Sequence, residues 1–184
     1  MKDLEVLQIA GNRLSGDLPS FFEEFDQLIK IDLRFNKLSS IDSLKSAQKI
    51  EVIRATGNNI SVFRSKAPTL FEVEMNMNPL TYVYFECDMT NLKVVDFSKG
   101  KLTSCTFTAK LINVEKLSLD YNHLSVLPDH IHNMKSLTFL SIFKNNLTNL
   151  PDSIKQLTKL RHLDLHLNNI GKLNENIWYL ESLE

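Results

Sequence analysis

Cysteine and glycine are both scarce in this chain, with two cysteines and five glycines among 184 residues. Cys87 and Cys105 are too few and too central to build a disulfide framework, which points to a reducing, cytosolic setting. Five glycines leave no room for a phosphate-cradling glycine loop, and no nucleophile stands beside a positioned base or a paired carboxylate. Neither catalysis nor a cofactor is therefore expected in these residues. The formal net charge of −1 lacks the basic balance of a nucleic-acid binder. No apolar run is long enough to cross a bilayer, and Met1-Lys-Asp-Leu4 lacks the basic stretch and apolar core of a signal peptide, so no direct membrane insertion is expected.

What the chain does have is one phrase, Leu-x-x-Leu-x-Leu-x-x-Asn-x-Leu, repeated from starts at Leu4, Leu28, Ile50, Leu70, Leu92, Val114, Leu137 and Leu160. Spacings of 20 to 24 residues are those of a leucine-rich repeat array. Within Leu160–Ile170, Leu163 and Leu165 alternate with polar neighbours, the period of a short strand with one buried face. The expected fold is an α/β solenoid, a horseshoe with a parallel β-sheet on its concave face and short helices, 3₁₀ turns or irregular segments on its convex face. No single repeat can bury its leucines alone, so residues 1–184 are read as one domain of eight stacked coils. The asparagines that close the phrases (Asn12, Asn36, Asn58, Asn78, Asn122, Asn145, Asn168) are placed to form a ladder that satisfies backbone groups at the bend. Gly100 interrupts that series, which predicts a missing rung with a local kink or a bound water.

Leu18-Pro19, Leu127-Pro128 and Leu150-Pro151 each end an extended stretch ahead of apolar residues at helical spacing, predicting short helices or 3₁₀ turns. From Asn78 to Phe85 and from Leu102 to Phe107 the residues are largely β-branched or aromatic, predicting thin, extended convex segments. Neither terminus carries an atypical capping repeat, so the chain is expected to be a piece of a longer array with ends prone to contact between copies. The sequons Asn59-Ile-Ser61 and Asn146-Leu-Thr148 arise from the repeat phrase itself.

Binding in such a fold is expected on outward strand positions, which form two clusters. One is basic with an aromatic edge: Lys30, Arg34, Phe35 and Arg54. The other mixes aromatics with charge: Asp120, Tyr121, Phe139, Phe143, Lys144, His162, Asp164, His166 and Leu167. Scattered outward aromatics are ordinary on protein surfaces, but adjacent ones with a polar rim mark partner sites. A metal is not expected. His162, Asp164 and His166 share a face, yet neighbours two apart on a strand lie roughly 6.6 Å apart and the outer pair roughly 13 Å apart. His130 and His132 make at best a weak pair on a convex loop.

The phrases Leu163–Ile170 and Leu150–Leu160, with the shortened middle around Met77-Asn-Pro-Leu80, resemble the repeat region of fungal adenylate cyclases across essentially the whole chain. That resemblance implies a segment of a large multidomain cytosolic enzyme, peripheral to the plasma membrane through its parent protein or partner, whose cyclase domain lies outside these residues. It also implies a docking platform for a GTP-bound Ras-type small GTPase. Because Ras proteins present acidic switch surfaces, Lys30, Arg34 and Arg54 are expected to steer association, while Tyr121 and Phe143 anchor it. Two other classes stay open. One is a sensor of peptidoglycan fragments, with Tyr121, Phe143, His166, Asp120 and Lys144 around a muramyl-peptide-like ligand in a deep pocket; the other is an architectural spacer.

Overall fold

A computed structural model describes residues 3–105, 107, 110–127 and 129–184. Among the described residues there are twelve strands, numbered along the chain: β1 Val6–Gln8, β2 Ser15–Asp17, β3 Lys30–Asp32, β4 Lys37–Ser40, β5 Val52–Arg54, β6 Val62–Ser65, β7 Glu72–Glu74, β8 Tyr82–Phe85, β9 Val94–Asp96, β10 Lys116–Ser118, β11 Phe139–Ser141 and β12 His162–Asp164. One strand per phrase joins an eight-stranded parallel sheet in the order β1-β3-β5-β7-β9-β10-β11-β12. Register follows the phrase without a slip, so Leu7, Ile31, Ile53, Val73, Val95, Leu117, Leu140 and Leu163 stand in one row. All but the two end members of that row are buried, because each inward side chain is covered by those of the coils on both sides.

The asparagine ladder satisfies what the bend leaves unpaired. Asn58 donates from Nδ2 to the carbonyls of Leu33 and Ala55 at 3.0 Å each, while its Oδ1 accepts the Leu38 N–H at 3.0 Å. Asn36, Asn78, Asn122, Asn145 and Asn168 repeat this pattern toward the preceding coil. Each such amide is a fully used hydrogen-bonding group inside the solenoid. At Gly100 the expected kink does not occur, since β7, β9 and β10 stay in continuous parallel register. The Leu80 N–H that an asparagine would have received turns instead to the Asn78 carbonyl at 2.7 Å, a γ-turn-like closure within the coil. The rung is thus replaced locally, and its space is filled: a Cβ on Gly100 would lie 2.7 Å from Asn122 Oδ1.

The convex side changes along the chain. 3₁₀ turns follow Pro19 (Ser20–Glu24) and Pro151 (Asp152–Gln156), and others span Asp129–Asn133 and Glu175–Tyr179. The middle coils are extended, as expected for Asn78–Phe85, with β8 pairing β6 in parallel. The pairing of β2 with β4 was not expected. Pro128 and Thr106, which belong to two of the anticipated convex segments, lie outside the described residues. Under the thin middle, Phe63, Phe85, Phe97 and Phe107 pack with ring centroids 5.9–6.3 Å apart, filling with aromatic volume the space that Leu and Ile fill elsewhere.

Candidate functional site

The two outward clusters sit on one sheet, but their chemistry differs from what the residue names suggest. Strand alternation and register place Asp32, Glu72 and Glu74 among Lys30, Arg34 and Arg54, so the formal charges cancel. Arg34 reaches Asp32 through Nε at 2.9 Å and Nη2 at 2.7 Å, and Arg54 Nε reaches Glu72 at 2.6 Å and Glu74 at 3.4 Å. The arginine hydrogen bond holds the Asp32 carboxyl below its ordinary range. Burial, with Glu72 beside it, pushes Glu74 up against the pull of Arg54. The two arginines of the basic cluster are therefore held in an internally neutralised mesh, while Lys30 enters no ion pair among the described residues. Phe35 stands apart at its edge, 57% exposed, with its ring over Gly57.

In the later coils Tyr121 and Phe143 meet edge-on with centroids 5.0 Å apart, a geometry worth about 0.5–1.5 kcal/mol beyond area burial. Lys144 Nζ and Lys99 Nζ approach the Tyr121 ring centre at 5.0 and 5.9 Å. Phe139 and His162 stack in parallel, 4.6 Å apart and 3° from coplanar. Asp120 binds this group together, accepting Ser141 Oγ at 2.6 Å, the Phe143 N–H at 2.8 Å and Ser118 Oγ at 3.3 Å. Asp164 accepts the His166 N–H at 2.9 Å and faces His166 Nδ1 at 2.7 Å. Burial raises the Asp164 carboxyl, yet the contacts with His166 outweigh it and hold the group below its ordinary range. Asp120 is thus engaged by the next coil's backbone and two serine hydroxyls, and Asp164 by the backbone and ring of His166. Among the described residues no three metal-ligating side chains converge, and the His130 and His132 rings lie 6.2 Å apart.

A model described as Leucine Rich Repeat matches residues 3–25 and 113–134. The chain is 31% identical over 140 residues to an adenylate cyclase of Schizosaccharomyces pombe, covering 75% of this chain and 8% of that one. It is 38% identical over 111 residues to an adenylate cyclase of Mycosarcoma maydis, covering 58% and 4%. A leucine-rich repeat protein of Leptospira interrogans superposes over 100% of this chain and 48% of its own, with a TM-score of 0.85 at 24% identity. YopM of Yersinia enterocolitica covers 95% and 35%, with a TM-score of 0.74 at 21% identity. The chain is a leucine-rich repeat array, related in sequence to fungal adenylate cyclases. It spans less than a tenth of the length of those relatives. A leucine-rich repeat array is a non-catalytic domain that serves as a platform for protein interaction.

Sequence reasoning missed one column of the array. At the eighth position of every phrase the backbone is left-handed, with φ between 52° and 70° at Gly11, Phe35, Gly57, Met77, Lys99, Tyr121, Lys144 and Leu167. This corner turns the chain out of the strand, and its residues project along one rim of the concave sheet. Glycine adopts it freely, whereas an L side chain there costs about 1–2 kcal/mol. Side-chain chemistry alone singles out Phe35, Tyr121, Lys144 and Leu167 in this column but not Met77 and Lys99. The signal that could have found them is the pair Gly11 and Gly57, which occupy the same position in the phrase. Away from this rim, Tyr82 and Tyr84 stack on convex β8 with centroids 6.2 Å apart. Among the described residues no helix is long and apolar enough to cross a membrane.

Proposed function

We propose that this array docks a GTP-bound Ras-type small GTPase and thereby regulates cyclic AMP synthesis by an adenylate cyclase of which it is a segment. The observation that carries the reading is the edge-on Tyr121–Phe143 pair, with Tyr121 40% exposed and two lysines over its ring. Rigid aromatics beside a cation, set on a continuous sheet, have the composition of an interface hot spot. The partner class is what the resemblance to fungal adenylate cyclases implies, and the sequence relation to those proteins supports that resemblance. Steering toward an acidic switch surface falls to Lys99 and Lys144, because Arg34 and Arg54 are held by carboxylates.

A muramyl-peptide sensor would need an enclosing pocket. Tyr121 and His166 instead stand on an open face, and a groove of about 800 Å³ beside the 3₁₀ turns is lined by Leu127, Leu150, Pro151 and Leu173 and by none of the aromatic group. Titration calorimetry of the chain against the GTPase carrying a GTP analogue, and against its GDP form, tests the proposal. Binding is expected for the GTP-analogue form only, weakening with salt and falling at least tenfold in Phe143→Ala. Absence of binding to either form by a chain shown to be folded would reject it.

A further inference from the structure

The left-handed corner row carries a second reading. Glycine fills this position in two coils, yet six others hold Phe35, Met77, Lys99, Tyr121, Lys144 and Leu167, none of them acidic. The four apolar or aromatic members are 40–65% exposed. Side chains kept where glycine fits without strain, and kept pointing to solvent, are not there to hold the coil. Lys99 and Lys144 approach the Tyr121 ring from the coils on either side. Among the described residues neither enters an ion pair. Phe35 lies across Gly57, so the row runs on through that coil. Six inter-coil steps give it a length of roughly 30 Å.

We propose that this rim, with Phe143 of the strand face beside Tyr121, is the docking edge of the array, and that its occupant is a protein surface presenting acidic side chains next to apolar ones. A carboxylate of the partner sits between Lys99 and Lys144 above Tyr121, while Met77 and Leu167 receive apolar groups to either side. Charge complementarity selects this partner: the side chains of the rim are apolar, aromatic or cationic, while Arg34 and Arg54 are already held by carboxylates. The inference rests on the reading of the chain as a protein-docking platform and adds where contact is made and what chemistry makes it.

The test substitutes glycine, the residue the backbone already accepts. The chain and its Met77→Gly, Leu167→Gly and Lys99→Gly/Lys144→Gly variants are melted, then titrated with a labelled synthetic peptide alternating glutamate with leucine and phenylalanine. A peptide with lysine for glutamate and phosphatidylserine vesicles are run beside it, and the GTP-analogue GTPase forms a separate arm. Melting temperatures equal to or a few degrees above the parent are expected. So is acidic-peptide binding weakened about tenfold in the double variant, with neither the basic peptide nor the vesicles bound. Lowered melting temperatures would make the rim structural, and unaltered peptide binding, equal binding of the basic peptide, no peptide binding, or binding of vesicles alone would each overturn the proposal. A parent chain that binds the acidic peptide through the rim but not the GTPase upholds the rim and rejects the GTPase as its occupant.

Discussion

Coils two to four and coils six to eight have the same strand length, register and ladder, but their outward groups are in opposite states. In the earlier coils every arginine on the face already has a carboxylate, on its own strand for Arg34 and on the next for Arg54. In the later coils Asp120 is turned to a backbone N–H and serine hydroxyls and Asp164 to His166, while Tyr121, Lys144 and Leu167 are left to solvent. The difference teaches that a surface is judged by what its groups still lack, not by which groups it holds. A satisfied ion pair offers a partner little, since breaking it costs what the new contact returns.

The sharpest way to break the contrast is to remove the carboxylate that organises the later coils. Asp120→Ala leaves Ser141 Oγ and the Phe143 N–H without their acceptor, and hydrogen bonds to a charged group contribute about 1.5–3 kcal/mol each. A stability loss of about 3 kcal/mol in urea unfolding, together with loss of the Tyr121–Phe143 geometry, is the expected result. A somewhat smaller effect belongs to the junction between the two regions. Gly100→Asn restores the repeat phrase, yet its Cβ would meet Asn122 Oδ1 at 2.7 Å, so the consensus residue should destabilise by about 2 kcal/mol; a melting temperature that rises would refute the filled rung.

The smallest effect lies in the mesh and depends on pH. Asp32 has a folded pKa below its unfolded one, so its contribution is complete above the unfolded value and drains away as pH falls through the depressed one. Glu74 is the reverse: its folded pKa is raised, so stability is greatest below its unfolded pKa and declines as pH rises through the folded value. Glu74→Gln should therefore be neutral or stabilising by about 0.5 kcal/mol at pH 7, with the gain vanishing in acid. Denaturant midpoints at pH 7 and pH 4 check this, and a Glu74→Gln chain less stable at pH 7 than its parent would refute it.

Much of the fold could be read from the chain because the phrase repeats a physical necessity. Leu7, Ile31, Ile53 and their successors must turn inward together, and the asparagines must meet the backbone groups that the bend exposes. The 3₁₀ turns after Pro19 and Pro151 and the extended Tyr82–Phe85 were legible from proline and from β-branched or aromatic content. What was not legible depended on alignment between coils. Arg54 reads as a free cation until register sets Glu72 and Glu74 on the neighbouring strand. Gly100 reads as a gap until the local bond from Leu80 to Asn78 closes it. The corner row was invisible for a different reason, since a left-handed backbone announces itself in sequence only where glycine occupies it, and here six of eight positions hold something else.

The ladder also gives the array a direction of growth. Asn36, Asn58, Asn78, Asn122, Asn145 and Asn168 all reach backward, each amide closing the bend of the coil before it. A polypeptide leaves the ribosome with its N-terminus first, so each of these bends emerges open and is sealed when the next coil arrives, except that of the fourth coil, which the Leu80 N–H closes on the Asn78 carbonyl. Assembly in order of synthesis thus behaves as a ratchet, in which the newest coil waits for its latch while the older ones are already locked, the fourth by its own turn.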